Sequence, residues 1–84
     1  MEEEDKKIEV ANGILFYMDD KIDQLYKEYG QAKTDKAGDK IKSRWPDLLI
    51  KMRECVDMPN LEMAKKAADE FFGLVKQEIV KSFN

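Results

Sequence analysis

Cys55, Ser43 and Ser82 carry the atoms that most often serve as nucleophiles, and the sequence gives none of them a partner. There is no histidine. That removes the commonest general base at neutral pH, the commonest metal ligand and the usual companion of a nucleophilic Ser or Cys. Neither serine stands in a Gly-x-Ser-x-Gly context, the strained elbow that presents a catalytic hydroxyl. Cys55 falls between Met52 and Val56 on the flank of an apolar helical pattern. A reactive thiolate needs an electropositive pocket, so this thiol reads as half-buried and structural. Gly13, Gly30, Gly38 and Gly73 are scattered and form no phosphate-cradling loop. These residues point away from an enzyme, and no cofactor or metal site is expected.

The acids and bases are segregated along the chain. Residues 2–28 hold nine acids against four bases, residues 33–53 seven bases against three acids, and the net charge is −3. Within the acidic part, Asp19-Asp20-Lys21-Ile22-Asp23 resembles the aspartate-rich Asp-Asp-x-x-Asp motif with which isoprenoid synthases hold magnesium diphosphate. The resemblance covers five residues. The second such motif is missing, and 84 residues cannot enclose the deep helical cavity those enzymes need, so a solvated acidic face is the simpler reading. Lys40, Lys42 and Arg44 in the basic segment are candidate nucleic-acid contacts. Trp45 beside them fits the aromatic-with-cation pattern of single-strand sites, although its helical phase with Ile41, Leu48 and Leu49 also makes it a core residue. Two acidic thirds would oppose phosphate binding, so nucleic acid is an unfavoured partner.

The elements that must position these residues are helical. Ile8, Ala11, Leu15, Met18, Ile22, Leu25 and Tyr29 recur at alternating steps of three and four, which keeps them on one narrow helical seam. The spacing predicts a first helix of about 27 residues, from about Glu3 to Tyr29 and ~40 Å long at 1.5 Å per residue, closed by Gly30 as a left-handed cap. An alternative stays open, because Asn12-Gly13 between β-prone runs is a hairpin signal. Residues 8–18 could then be two strands ahead of a shorter helix.

A second helix is expected after the polar stretch Gln31–Gly38, with Thr34 or Asp35 as its cap and Ile41, Trp45, Leu48, Leu49, Met52 and Val56 as its apolar face. Pro46 must kink it, or restart it with Ser43 as a new cap. Asn60 caps a third helix whose buried face is Leu61, Ala64, Ala68, Phe71, Val75, Ile79 and Phe83. Short connections make neighbours antiparallel. The expected fold is an all-α, antiparallel three-helix bundle, a single domain over residues 1–84, with Ile22, Leu25, Leu48, Leu49, Phe71 and Val75 meeting in one core.

At 84 residues the core is near the lower limit of self-sufficiency, so association would help. A lone cysteine, an acidic Met1–Asp5 and the lack of a long apolar run suggest a soluble, untargeted, cytoplasmic protein away from membranes.

Phe16 and Tyr17 fall off the expected seam, with Val10 and Gly13 nearby, and this group is the candidate protein interface, since aromatics off a core face favour contact sites. Three functions follow. The first is a non-enzymatic interaction module (adaptor, inhibitor or small subunit) whose partner is another protein or a second copy. The others are a nucleic-acid-associated regulator using residues 33–53, and a binder of small ligands between helices.

Overall fold

The computed structural model describes residues 2–83, which form four α-helices and one 3-10 turn, with no strand among them. Helix α1 spans Glu2–Tyr29, α2 Gln31–Lys40 and α3 Trp45–Asp57; α4 spans Leu61–Lys81, and the 3-10 turn, Lys42–Arg44, lies between α2 and α3. Of the acidic Met1–Asp5, Met1 lies outside the described residues. None of the helices is long and apolar enough to cross a membrane.

The continuous first helix prevails over the hairpin, running 28 residues through Asn12-Gly13. Gly13 has a use there. It faces α4, and a Cβ in its place would stand 3.1 Å from Leu61 Cδ1.

Gly30 alone separates α1 from α2. Its N–H donates to the Tyr26 carbonyl at 2.9 Å, its carbonyl accepts from Thr34 N at 3.2 Å, and its φ of +92° suits only glycine well. With ψ at 153° it is not the left-handed helical cap expected of it.

The polar stretch Gln31–Gly38, which the sequence places ahead of the second helix, is instead most of α2. Its buried face is made of small residues, Thr34 and Ala37, so it lacks the large apolar side chains that mark a packed helix in a sequence. Thr34 is therefore buried inside the helix and caps nothing; its hydroxyl donates to the Gly30 carbonyl at 2.9 Å. Asp35 likewise sits within α2, where it accepts from the Tyr26 hydroxyl at 2.7 Å.

Pro46 restarts the chain. The 3-10 turn closes on Arg44 N to Ile41 O at 2.8 Å, and Pro46 occupies the first turn of α3, where its missing N–H costs nothing. Arg44, with no side-chain bond, stands at the cap position expected of Ser43. Asn60 caps α4 as its sequence suggests, accepting from Met63 N at 3.1 Å.

The core joins Ile14 and Leu25 of α1, Ala37 of α2, Leu48, Met52 and Cys55 of α3, and Ala64, Ala68, Phe71, Phe72, Val75 and Ile79 of α4. Trp45 packs edge-on to Phe71 with ring centroids 4.7 Å apart. Ile22 is half-buried against this core, but Leu49 is exposed and does not join it. Phe83, expected on the buried face of the last helix, is also exposed, near Tyr29 and under Lys33 Nζ at 3.5 Å.

The expected α1 seam is corrected as well. Its C-terminal half, Met18, Ile22, Leu25 and Tyr29, packs on the core, whereas Ile8 and Leu15 are exposed and Val10, Ile14 and Tyr17 replace them. A straight helix turns 3.6 residues per turn, so a 3.5-residue repeat drifts about 20° per heptad away from the partner.

Candidate interaction surface

Tyr17 is the pivot between α1 and α4. Its hydroxyl donates to Asp69 Oδ1, and Lys21 Nζ lies 3.5 Å from the same oxygen. Lys21 and Lys65 also stand 5.3 and 5.6 Å from the centroid of its ring, within cation–π reach. The hydrogen bond to Asp69 is the main cause holding the phenol above its ordinary pKa, with desolvation adding to it and Lys21 opposing. Tyr26 is raised in the same way through Asp35.

These contacts redistribute the interface expected at Val10, Gly13, Phe16 and Tyr17. Val10 and Tyr17 pack against the core and Gly13 receives Leu61, so only Phe16 of the four stands open, 76% exposed. Tyr17 lies nearer the core than the 3.5-residue seam places it, because the buried stripe is rotated toward it.

The large apolar side chains left outside the core are spread over α1, α3, the α3–α4 turn and α4, where Met58, Met63 and Val80 are exposed. Ile8 is 60% exposed and Leu15 64% on α1, and Leu49 is 60% and Ile50 57% on α3. Ile8 and Leu15 belong to the N-terminal half of the heptad seam visible in the sequence, and they are the large side chains of that seam left exposed, while Met18, Ile22, Leu25 and Tyr29 pack on the core.

The basic residues do gather. Lys40, Lys42 and Arg44 are all exposed at the corner formed by the end of α2 and the 3-10 turn. Among the described residues the salt bridges are Lys21–Asp69, Lys27–Asp23 and Lys81–Glu78, so no base of residues 33–53 is paired.

Among the described residues no group of three acids or thiols is placed to hold a metal ion. Asp23 pairs with Lys27 at 3.0 Å and Asp20 accepts from Gln24 at 2.9 Å. An open cleft of about 710 Å³ at the α3–α4 turn is bordered by Cys55, Met58, Met63 and Lys66, and one of about 490 Å³ by Tyr26, Asp35, Trp45 and Phe71. Every buried side-chain polar atom among the described residues already has a hydrogen-bond partner, so neither cleft contains an unmet buried polar group to orient a ligand. Cys55 is more deeply buried than the sequence suggests, at 7% exposure.

No protein-family model, curated protein or solved structure matches this chain.

Proposed function

We propose that this chain is a non-enzymatic protein-interaction module, an adaptor, inhibitor or small subunit that docks a helical surface onto another protein. We read its architecture as an up-down-up bundle in which α2 and α3 together form the returning layer. Along α1 and α4 the pairing runs in one direction, Gly13 with Leu61, Tyr17 with Asp69 and Tyr29 with Phe83. Along α2–α3 and α4 it runs in the other, Lys33 with Phe83 and Trp45 with Phe71. A reducing, cytoplasmic setting suits a single buried thiol.

The observation that carries this reading is the set of exposed apolar side chains Ile8, Leu15, Phe16, Leu49 and Ile50 on α1 and α3. Apolar surface of this kind, outside a core that is already complete, is the usual mark of a contact site. Phe16 remains part of the proposed surface, and Val10, Gly13 and Tyr17 are its support from within.

A photo-crosslinking amino acid at Leu15 in the full chain tests the reading, with one at exposed Gln77 of α4 as the control. A discrete protein adduct from position 15 and none from position 77 is the expected result. Equal labelling from both positions, or none from either, would overturn it.

A second reading, a nucleic-acid-associated regulator, is favoured by the unpaired corner of Lys40, Lys42 and Arg44. Phosphate binding there would fall steeply with salt, and a mobility shift at physiological salt, lost with Lys42→Ala, would promote it.

A further inference from the structure

We propose that the cleft between α1, α2 and α4 is a binding site for a small organic cation, a protonated amine carried on an apolar body. The inference goes beyond the interaction-module reading and is separate from it, since no residue bordering this cleft belongs to the surface of Ile8, Leu15, Phe16, Leu49 and Ile50.

The interior of the cleft is aromatic. Buried Phe71, Phe72 and Val75 of α4 form its floor, and half-buried Tyr26 of α1 and Trp45 of α3 form its walls, around a space of about 490 Å³. Trp45 stands edge-on to Phe71 at 4.7 Å and Phe71 edge-on to Phe72 at 5.4 Å, so the rings make one continuous lining. A cleft of this size suits a drug-sized molecule. The electron-rich faces of indole and phenol rings attract a cation held within about 6 Å of their centroids.

Helix α2 supplies the charge and the opening. Its buried stripe is Thr34 and Ala37. Asp35 and Asp39, one turn apart, flank that stripe on the side of the aromatic cleft, whereas Lys33, Lys36 and Lys40 flank it on the other, where they border a different cleft with Glu78 and Ser82. Among the described residues no Lys or Arg borders the aromatic cleft. Asp35 accepts from the Tyr26 hydroxyl through one oxygen, and exposed Asp39 takes part in none of the ion pairs among the described residues. Gly38, beside them at the mouth, has neither a positive φ nor any atom within 4 Å of where a Cβ would stand. Neither backbone nor packing therefore calls for glycine at a helix-interior position that disfavours it; what it does there is keep the mouth open.

These features select the ligand. An anion would face two carboxylates with no cation to offset them. A bare divalent ion would find fewer oxygens than calcium or magnesium takes, and nothing to do with the aromatic walls. An amine on an apolar body uses both halves of the site, with its nitrogen at the Asp35–Asp39 rim and its body against Trp45 and Phe71.

Trp45 is the chain's single tryptophan, so its fluorescence reports from the cleft wall of the full chain. Titration at pH 7 with 4-phenylbutylamine, 4-phenylbutanol and 4-phenylbutyrate presents one apolar body as cation, neutral molecule and anion. The amine should give a saturable change and bind at least about tenfold more tightly than the carboxylate, with the alcohol between them. Asp39→Asn should weaken the amine and leave the alcohol unchanged, while Asp19→Asn, an exposed acid outside the cleft, should alter neither. Gly38→Leu should fill the mouth and abolish the response to all three ligands, with a melting temperature at or above that of the wild type. No saturable response to the amine, equal affinity for the three ligands, an Asp39→Asn effect no larger than that of Asp19→Asn, or undiminished binding by Gly38→Leu would each overturn the proposal. Crosslinking from position 15 is read independently, so either reading can fail while the other stands.

Discussion

Gly13 and Leu61 meet where α1 passes the first residue of α4, and a Cβ on Gly13 would come within 3.1 and 3.2 Å of the two Leu61 methyls. Glycine inside a helix costs ~1 kcal/mol relative to alanine, so Gly→Ala at the four glycines separates conformation from contact. Gly73 of α4 and Gly38 of α2 have nothing within 4 Å, and alanine at either should raise stability by roughly 0.5–1 kcal/mol. At Gly13 the same gain is offset by displacing Leu61, giving a net change near zero. At Gly30, with its φ of +92°, alanine should destabilise by about 1–3 kcal/mol. Denaturant midpoints of the four variants check the order, and a Gly13→Ala protein as stabilised as Gly73→Ala would mean the two helices do not meet closely there.

Leu48 and Leu49 are adjacent in sequence and opposite in role. Leu48 is 4% exposed in the core and Leu49 is 60% exposed, so Leu48→Ala should cost ~2–5 kcal/mol and Leu49→Ala less than about 0.5 kcal/mol of folding stability. Equal losses at the two positions would show that Leu49 is buried by its own chain.

What could be read from the sequence follows from how strongly each element announces itself. The end of α1 before Gly30 and the Asn60 cap are legible because a glycine or a capping side chain acts through its own backbone and needs no tertiary partner. Helix α2 was not legible, since Thr34 and Ala37 bury a face too small to show as a periodic apolar pattern. The seam through Ile8 and Leu15 was legible as a stripe but not as to what covers it. The choice between Leu15 and Ile14 for the core depends on a few tens of degrees of helical drift, which the bundle geometry sets and local spacing does not. Phe72, buried beside Phe71 with centroids 5.4 Å apart, was missed because it lies one step off the stripe that passes through Phe71.

The raised pKa values of Tyr17 and Tyr26 bear on alkaline stability. Each phenol is held above its ordinary value first by the hydrogen bond its hydroxyl donates, to Asp69 and Asp35 respectively. A group whose pKa is higher folded than unfolded contributes stability that is complete below the unfolded value and lost as pH rises through the folded one. The wild type should therefore lose stability as pH climbs past about 10. Tyr17→Phe with Tyr26→Phe should lose less over that interval, although it is the less stable protein at pH 7. Melting temperatures across the alkaline range provide the check, and parallel curves for the two proteins would show that neither hydrogen bond persists in solution.

Phe16 and Tyr17 are neighbours that the structure separates, and truncating them one at a time tests that separation. Phe16 is 76% exposed, so Phe16→Ala should leave the melting temperature nearly unchanged, within about 0.5 kcal/mol. Tyr17 packs against the core and ties α1 to Asp69 of α4. Tyr17→Ala removes an aromatic contact and leaves Asp69 without the hydroxyl whose hydrogen bond it accepts, and should lower stability more than Phe16→Ala but less than loss of a fully buried aromatic, because the site is partly open to water. The two also part in binding. Phe16→Ala should weaken capture of any partner that reaches round α1 from the Leu15 flank, with folding intact, whereas Tyr17→Ala should weaken capture only in proportion to the unfolded fraction. Thermal melts read beside crosslinking yield from position 15 decide the matter: a large stability loss from Phe16→Ala would place that ring in the core and withdraw it from the proposed surface.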